Sequence, residues 1–237
     1  MIFSSLKSLA IPEGSVKRIT QDGTVLWEKV MGRIPSEYQE VAWIGTDGKS
    51  YFISNFTINN LNEFTLYYTC SIPSNGMHMF GSDKDKAIQI DGSPRFLHRH
   101  GAFVYNRNEG LGNVLNYDVF IRDDVFHNYI IECKHQEYVI ILRDGNRVLK
   151  DKFYNAKCFA TFGVFCNNYN SNPTGYLAAN GSKLSEFRFV DDTTGNDVFN
   201  PIPCYRKSDN AIGMYDIVSK TFFTSEGTES FTKGPDV

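Results

Sequence analysis

From Glu40 onward, apolar residues alternate with polar ones or occur in short runs, and turn residues separate these segments. Residues 86–92 (KAIQIDG) alternate cleanly, and residues 64–72 (FTLYYTCSI) form a longer run that ends before Pro73. Both patterns are typical of β-strands, and no long window shows the 3.6-residue stripe of an amphipathic helix. Strands at roughly ten-residue spacing, with turns between them, predict an all-β sandwich or barrel.

The N-terminal part differs from the rest of the chain. Residues 15–29 contain two short candidate strands around Asp22-Gly23, a favoured two-residue hairpin turn. Because two strands are only marginally stable alone, their apolar residues must be buried against the main domain or another chain. We predict a β appendage over residues 1–31 and a main domain over residues 32–237. We expect the appendage to attach the protein to its own kind or to a scaffold by strand addition, through Ile11, Val16, Ile19, Val25 and Trp27.

The C-terminal segment is rich in apolar and aromatic residues, which turn residues separate. We predict a hairpin over residues 213–224 whose aromatic face closes one end of the sandwich. Asp209-Asn210 and Ser219-Lys220 are the expected turns, and Pro201 and Pro203 are expected to interrupt strand pairing before the hairpin. In jelly-roll topologies the last strand often pairs with an early one, so we expect this segment to be part of the core.

Composition narrows the function classes. Of the 237 residues, 41% are hydrophobic and 22% are charged, which permits a packed core. The net charge of −3 gives no reason to expect nucleic-acid binding. The five cysteines are scattered, so we expect free thiols rather than a zinc site or a disulfide framework. The start does not resemble a secretory signal and the apolar runs are too short to span a bilayer, so we expect synthesis in a cytoplasm without membrane insertion.

Two patterns have some features of a metal site. His98 and His100 would share a face on a strand, but no third ligand is identifiable. Acidic turns at 81–86 and 191–197 lack the alternating ligands of a calcium loop. Turn chemistry explains both acidic segments, and we predict no metal and no cofactor.

Two Asn-rich segments are the candidate ligand-binding loops. Amide side chains form paired hydrogen bonds with sugar hydroxyls, and an aromatic ring offers a flat surface for a pyranose. The same residues are also ordinary loop composition, which is the more frequent explanation. The candidate carbohydrate contacts are Asn167, Asn168, Tyr169, Asn170 and Asn172 in the first segment, and Tyr105 and Asn106 in the second.

Several stretches are similar to a known group of proteins. The sequence RIPSEYQEVAWIGTDGKSYFIS at 33–54, the hairpin YVIILRDGNRVL at 138–149 and above all the closing segment 184–237 resemble concanavalin-A-like, laminin-G-like jelly rolls of bacteriophage and prophage structural proteins from Gram-positive hosts. The marks of the closing segment are Pro203-Cys204-Tyr205-Arg206, Asp209, Gly213, Tyr215-Asp216, Phe222-Phe223, Gly227-Thr228 and Phe231. Residues 9–29 resemble a short strand module of such proteins, and residues 73–125 match nothing.

The resemblance implies an all-β, concanavalin-A-like jelly-roll sandwich with a short N-terminal β appendage, in a virion protein. It does not identify a ligand, because this fold carries many functions. We expect a homo-oligomer that contacts other virion proteins. One hypothesis is a module that binds host-surface glycan; the other is a capsid or tail decoration or fibre protein that binds only virion proteins.

A glycan hydrolase is the distant alternative. Hydrolases with this fold need two carboxylates that face a sugar-binding cleft, usually in a Glu-x-Asp-x-x-Glu strand. No such run occurs, since Glu186, Asp191 and Asp192 have a different spacing. We therefore predict no catalytic residues.

Overall fold

The computed structural model describes residues 18–21, 24–28, 33–58, 61–73, 78–82, 96–99, 102–108, 112–116, 118–153, 161–168 and 177–237. In these residues the chain forms strands and turns without a helix, so none is present that could cross a bilayer. The strands are β1 (Arg18–Gln21), β2 (Thr24–Glu28), β3 (Tyr38–Glu40), β4 (Ile44–Gly45), β5 (Phe52–Ile53), β6 (Glu63–Ser71), β7 (His78–Ser82), β8 (Phe96–Arg99), β9 (Ala102–Asn108), β10 (Gly112–Asn116), β11 (Phe126–Lys134), β12 (Tyr138–Arg143), β13 (Asn146–Asp151), β14 (Gly163–Val164), β15 (Lys183–Asp191), β16 (Asn196–Phe199), β17 (Pro201–Arg206), β18 (Ile212–Asp216), β19 (Thr221–Thr224) and β20 (Thr232–Lys233).

Two large antiparallel sheets form the body of the molecule. The eight-stranded sheet has the order β13-β12-β11-β6-β15-β4-β20, with β16 paired to β15. The six-stranded sheet has the order β10-β9-β8-β7-β14-β5. The rings of Tyr68 on β6 and Phe80 on β7 lie 5.0 Å apart in a T-shaped contact, so the two sheets face each other. The predicted all-β sandwich is confirmed.

The core follows from strand alternation. On β6, the side chains of Phe64, Leu66 and Tyr68 are buried in the core. Tyr67 and Thr69, which alternate with buried positions, are half-buried on the opposite face. Burial of each large apolar side chain contributes about 1.5–3 kcal/mol, and aromatic rings dominate the space between the sheets. The outward face of β6 is therefore free to carry polar groups.

Residues 40–45 are divided between two sheets. β3 pairs with β17 in a four-stranded sheet of order β19-β18-β17-β3, whereas β4 pairs with β15 and β20. Between them the Val41 N–H donates to Pro203 O (3.0 Å) and the Ala42 N–H donates to Pro235 O (2.9 Å). The chain passes from one sheet to the other here because β3 pairs with β17, whereas β4 pairs with β15 and β20.

The closing hairpin is present as predicted, with β18 paired to β19 and Lys220 at φ 59° in its turn. The prediction that Pro201 and Pro203 interrupt pairing is wrong, because both lie in β17 opposite β18. A proline lacks the N–H donor but keeps its carbonyl acceptor, and Pro203 O is used in this way.

The C-terminus belongs to the core, as expected. β20 pairs with the early strand β4, and Val41 forms a bridge with Asp236. The Phe231 ring is buried against Phe52 and Phe165, with centroid distances of 6.3 Å and 5.7 Å.

Two hairpins match their Asp-Gly signals. Asp144 and Gly145 have φ of 50° and 78°, the left-handed pair that a tight β12–β13 turn requires. At the N-terminus β1, which carries the backbone of Ile19, pairs with β2, which carries that of Val25 and Trp27. Ile11 and Val16 lie outside the described residues, and the assembly role of all five stays a prediction.

Candidate functional site

The first Asn-rich segment begins at a strained turn. After β14, Phe165 has φ of 59°, which is rare for a bulky residue and costs about 1–3 kcal/mol. The turn is held because the Phe165 N–H donates to Met79 O (2.8 Å) and Phe165 O accepts from the Ala178 N–H (2.7 Å). Within the described residues, strand structure around this turn is limited to Gly163–Val164 and isolated bridges.

Glycine is required beside this turn. A Cβ on Gly163 would lie 2.5 Å from Cys166 Sγ, 3.0 Å from Cys166 O and 3.1 Å from Asn168 N. Cys166 forms a β-bridge with Leu177, so the two ends of the segment are close together. We call residues 161–168 with 177 and 178 the loop foot.

Two predicted contacts lie inside the loop foot. The Asn167 and Asn168 residues are 2% and 4% exposed. Asn168 Nδ2 donates to Thr161 O (2.9 Å) and Thr161 Oγ1 (3.1 Å), and the Asn168 N–H donates to Gly81 O (3.2 Å). Asn168 Oδ1 is buried without a hydrogen-bond partner among the described residues. The Asn168 amide therefore supports the segment from within, and Asn167 is buried beside it.

The other predicted contacts do not lie in the loop foot. Tyr169, Asn170 and Asn172 lie outside the described residues. Tyr105 and Asn106 belong to strand β9, where they pair with β8 and β10, rather than to a loop. Their role in carbohydrate binding stays a prediction.

A second polar arrangement, which the sequence did not indicate, lies on the outward face of the eight-stranded sheet. Asn128 Nδ2 donates to Thr69 Oγ1 (3.0 Å), and Thr69 Oγ1 donates to Glu186 Oε2 (3.1 Å). Thr69 is directly opposite Asn128 on one side and Glu186 on the other. We call Asn128, Thr69 and Glu186 the polar row.

An aromatic residue and a cation flank the polar row. The guanidinium of Arg188 lies over the Tyr67 ring, 5.1 Å from its centroid. Arg188 Nε donates to Asp197 Oδ1 (2.8 Å), and Asn200 Nδ2 donates to Asp197 Oδ2 (2.7 Å). Asp197, which the sequence placed in an acidic turn but which lies in β16, thus fixes Arg188 beside Tyr67.

A histidine with two carboxylates lies at the end of the polar row. His127 Nδ1 is 2.7 Å from Asp144 Oδ2, and Nε2 is 3.2 Å from both oxygens of Asp123. Burial opposes the charged ring, but these hydrogen bonds outweigh it and raise the pKa of His127. Because each ring nitrogen faces a carboxylate, the geometry fits the imidazolium. Asp144 Oδ1 also accepts the Asn128 N–H (2.9 Å), which ties the cluster to the polar row.

The remaining candidates have structural partners where they are described. Asp191 Oδ1 accepts the Thr193 N–H (2.9 Å), and Asp192 accepts from Thr65 Oγ1 (2.8 Å). His98 is described only as backbone of β8, and His100 and the 83–86 turn lie outside the described residues. No group of three or more His, Cys, Asp or Glu suited to a metal ion occurs in the described ranges.

The cysteines have no features of a nucleophile within the described residues. Cys70, Cys133, Cys166 and Cys204 are buried free thiols. Burial raises the pKa of all four, in Cys204 to about 12. Because their pKa values are raised, these thiols are protonated at neutral pH. The thiolate is the reactive form of cysteine, so these groups are poor nucleophiles. Cys158 lies outside the described residues.

The fold is similar to that of solved structures. A protein from Bacteroides ovatus, named as a candidate carbohydrate-binding protein, is similar with a TM-score of 0.51 and 10% identity, over 84% of this chain and 62% of that one. The chain has a concanavalin-A-like jelly-roll fold. Mouse laminin α1 domains LG4-5 (TM-score 0.43, 8% identity, 69% of this chain and 43% of that one) and sheep galectin-11 in complex with glycerol (TM-score 0.36, 8% identity, 61% and 99%) are weaker likenesses.

Sequence comparison gives no further assignment. No family model matches the chain, and no curated protein matches it. At these identities the structural likeness shows the fold alone.

Proposed function

We propose that this chain is a non-enzymatic component of a bacteriophage virion, and that its lectin-like jelly roll binds glycan on the surface of a Gram-positive host. The fold is compatible with this role, and the opening and closing segments resemble phage structural proteins. The protein would act in several copies, because weak single-site contacts become useful through avidity.

The observation that carries the glycan-binding proposal is the construction of the loop foot. A strained Phe165, a required Gly163 and a buried Asn168 amide hold both ends of the Asn-rich segment. Strain of this kind clusters at ligand-binding sites, and it is found here at the point where the chain enters the Asn-rich segment. We propose that Tyr169 stacks on a sugar ring and that Asn170 and Asn172 bond its hydroxyls.

The absence of catalysis is also part of the proposal. The protonated thiols and the engaged carboxylates of Asp191, Asp192 and Asp197 support a binding role. Release of reducing sugar from host polysaccharide, lost on replacement of one Asp or Glu, would contradict it.

A purely structural role is the second candidate, because Asn167 and Asn168 are buried supports rather than exposed contacts. A glycan array probed with the oligomeric protein and with Tyr169→Ala separates the two. We expect the wild-type protein to be retained and the variant to bind more weakly. If neither form binds any host glycan while the protein is present in purified virions, the structural role is favoured.

A further inference from the structure

We propose that the polar row is a second ligand site, which binds a neutral glycan through a pair of adjacent hydroxyls. This inference rests on the proposed glycan-binding function and adds a site on the sheet face, separate from the loop foot. It comes from three polar side chains of three adjacent strands that hydrogen-bond in one line.

The polar row has a fixed geometry. Adjacent strands lie about 4.8 Å apart, so the line from Glu186 to Asn128 is about 10 Å long, comparable with a disaccharide. The Asn128 N–H is held by Asp144 (2.9 Å), and Thr69 is held on both sides by its neighbours. Side chains that are already ordered lose less conformational entropy when a ligand binds.

The direction of the hydrogen bonds determines what the row offers. Asn128 donates to Thr69, and Thr69 donates to Glu186, so the second carboxylate oxygen of Glu186 and the amide oxygen of Asn128 remain as acceptors. The second N–H of the Asn128 amide remains as a donor. A sugar hydroxyl both donates and accepts, so two adjacent hydroxyls can bond to this set together.

The charge distribution favours a neutral ligand. Arg188 is paired with Asp197, and Glu186 forms no ion pair with any described residue. The row therefore presents an uncompensated carboxylate, which would repel phosphate or uronate groups.

The flank of the row supplies apolar surface. Tyr67 lies on the same face of β6 as Thr69, two residues and about 7 Å away. It is directly opposite Ile130 on β11. Both side chains are half-buried. The guanidinium of Arg188 covers one face of the Tyr67 ring, so Ile130 and the uncovered part of the ring are the apolar surface available to the C–H face of a pyranose.

Titration of the full-length ¹⁵N-labelled protein with neutral oligosaccharides of glucose, galactose and N-acetylglucosamine tests the site. We expect saturable shifts of the Thr69, Asn128 and Glu186 amides with at least one of them, and none with a uronic-acid oligosaccharide. Shifts confined to the loop foot would overturn the second site while leaving the proposed function intact. Absence of any shift, together with no retention on a glycan array, would overturn both.

Matched substitutions identify the contributing carboxylate. Glu186→Gln should weaken the affinity measured at the Asn128 amide about tenfold or more, since hydrogen bonds to charged groups contribute roughly 1.5–3 kcal/mol. Glu132→Gln lies on the same sheet face, opposite Thr65, and should leave the affinity unchanged. Thermal unfolding of both variants shows that they are folded. Equal weakening by both, or by neither, would contradict the assignment.

Discussion

The loop foot and the polar row use the same chemistry in opposite ways. At the loop foot, Asn168 is buried and its amide bonds to Thr161, so the side chain fixes the backbone. In the polar row, Asn128 is exposed and its amide bonds to Thr69 across two strands, so the side chain is displayed on a fixed surface. An asparagine can therefore fix the backbone or present its amide to a ligand, depending on whether its side chain is buried or exposed. Composition alone does not distinguish these two roles.

Among the substitutions near the loop foot, loss of the Phe231 ring should reduce the unfolding free energy most. This buried ring packs against Phe165, so Phe231→Ala leaves a cavity and should cost about 3–5 kcal/mol of unfolding free energy. Denaturant unfolding measures the loss. Val218→Ala, at a side chain that is 40% exposed, is the control and should change stability by less than about 0.5 kcal/mol. Equal effects would contradict the placement of the C-terminus in the core.

A methyl group on Gly163 tests the tight turn itself. Its Cβ would lie 2.5 Å from Cys166 Sγ, so Gly163→Ala should destabilise the protein by about 1–3 kcal/mol. Adding Cys166→Ala removes the sulfur contact and should recover part of this loss, although the Cys166 O contact at 3.0 Å remains. Strictly additive losses in a double-mutant cycle would show that the two residues do not clash as described.

The two asparagines should differ when each is replaced by alanine. Asn168→Ala removes buried hydrogen bonds to Thr161 and should cost about 1–2 kcal/mol. Asn128→Ala, at an exposed position, should cost less than about 0.5 kcal/mol but lose the glycan-induced shifts of the polar row. Calorimetry measures the loss of stability in each variant, and the oligosaccharide titration measures the glycan-induced amide shifts. The reverse result would invert the roles given to the two regions.

The smallest expected effect is the pH dependence of the His127 cluster. The folded pKa of His127 is raised above its unfolded value of about 6.5. Its stabilisation is therefore full below about pH 6.5 and is lost as pH rises through the folded pKa. The pKa values of Asp123 and Asp144 are lowered, so their contribution is lost as pH falls below about 4.

Unfolding of His127→Gln over the same pH series isolates this contribution. The wild-type protein should lose up to about 1 kcal/mol relative to the variant between neutral and mildly alkaline pH, since the carboxylates are nearly half exposed. Parallel pH curves for the two proteins would rule out a charged His127.

Local sequence signals predicted the hairpins well. Asp144-Gly145 demands a tight turn wherever it occurs between two apolar strands, and Lys220 and Asn210 both take the left-handed conformation expected at their turns. The closing hairpin was predictable for the same reason, because its strands are neighbours in sequence.

Features that depend on distant partners were not predictable. The division of residues 40–45 between β3 and β4 depends on β17 and β20, which lie near the other end of the chain. The members of the polar row are 59 and 117 positions apart, so only the register of β6 with β11 and β15 brings them together. The apolar run over residues 64–72 predicted a strand, but not that Thr69 would face outward or what it would meet there.

The central claim, that the protein binds host-surface glycan, is tested most directly by its retention on isolated host cell-wall polysaccharide before and after periodate oxidation. Periodate cleaves the bonds between adjacent hydroxyl-bearing carbons and leaves phosphate and protein components in place. We predict retention of the protein on untreated polysaccharide and its loss after oxidation. Failure to bind untreated polysaccharide, or equal retention on both materials, would contradict the account.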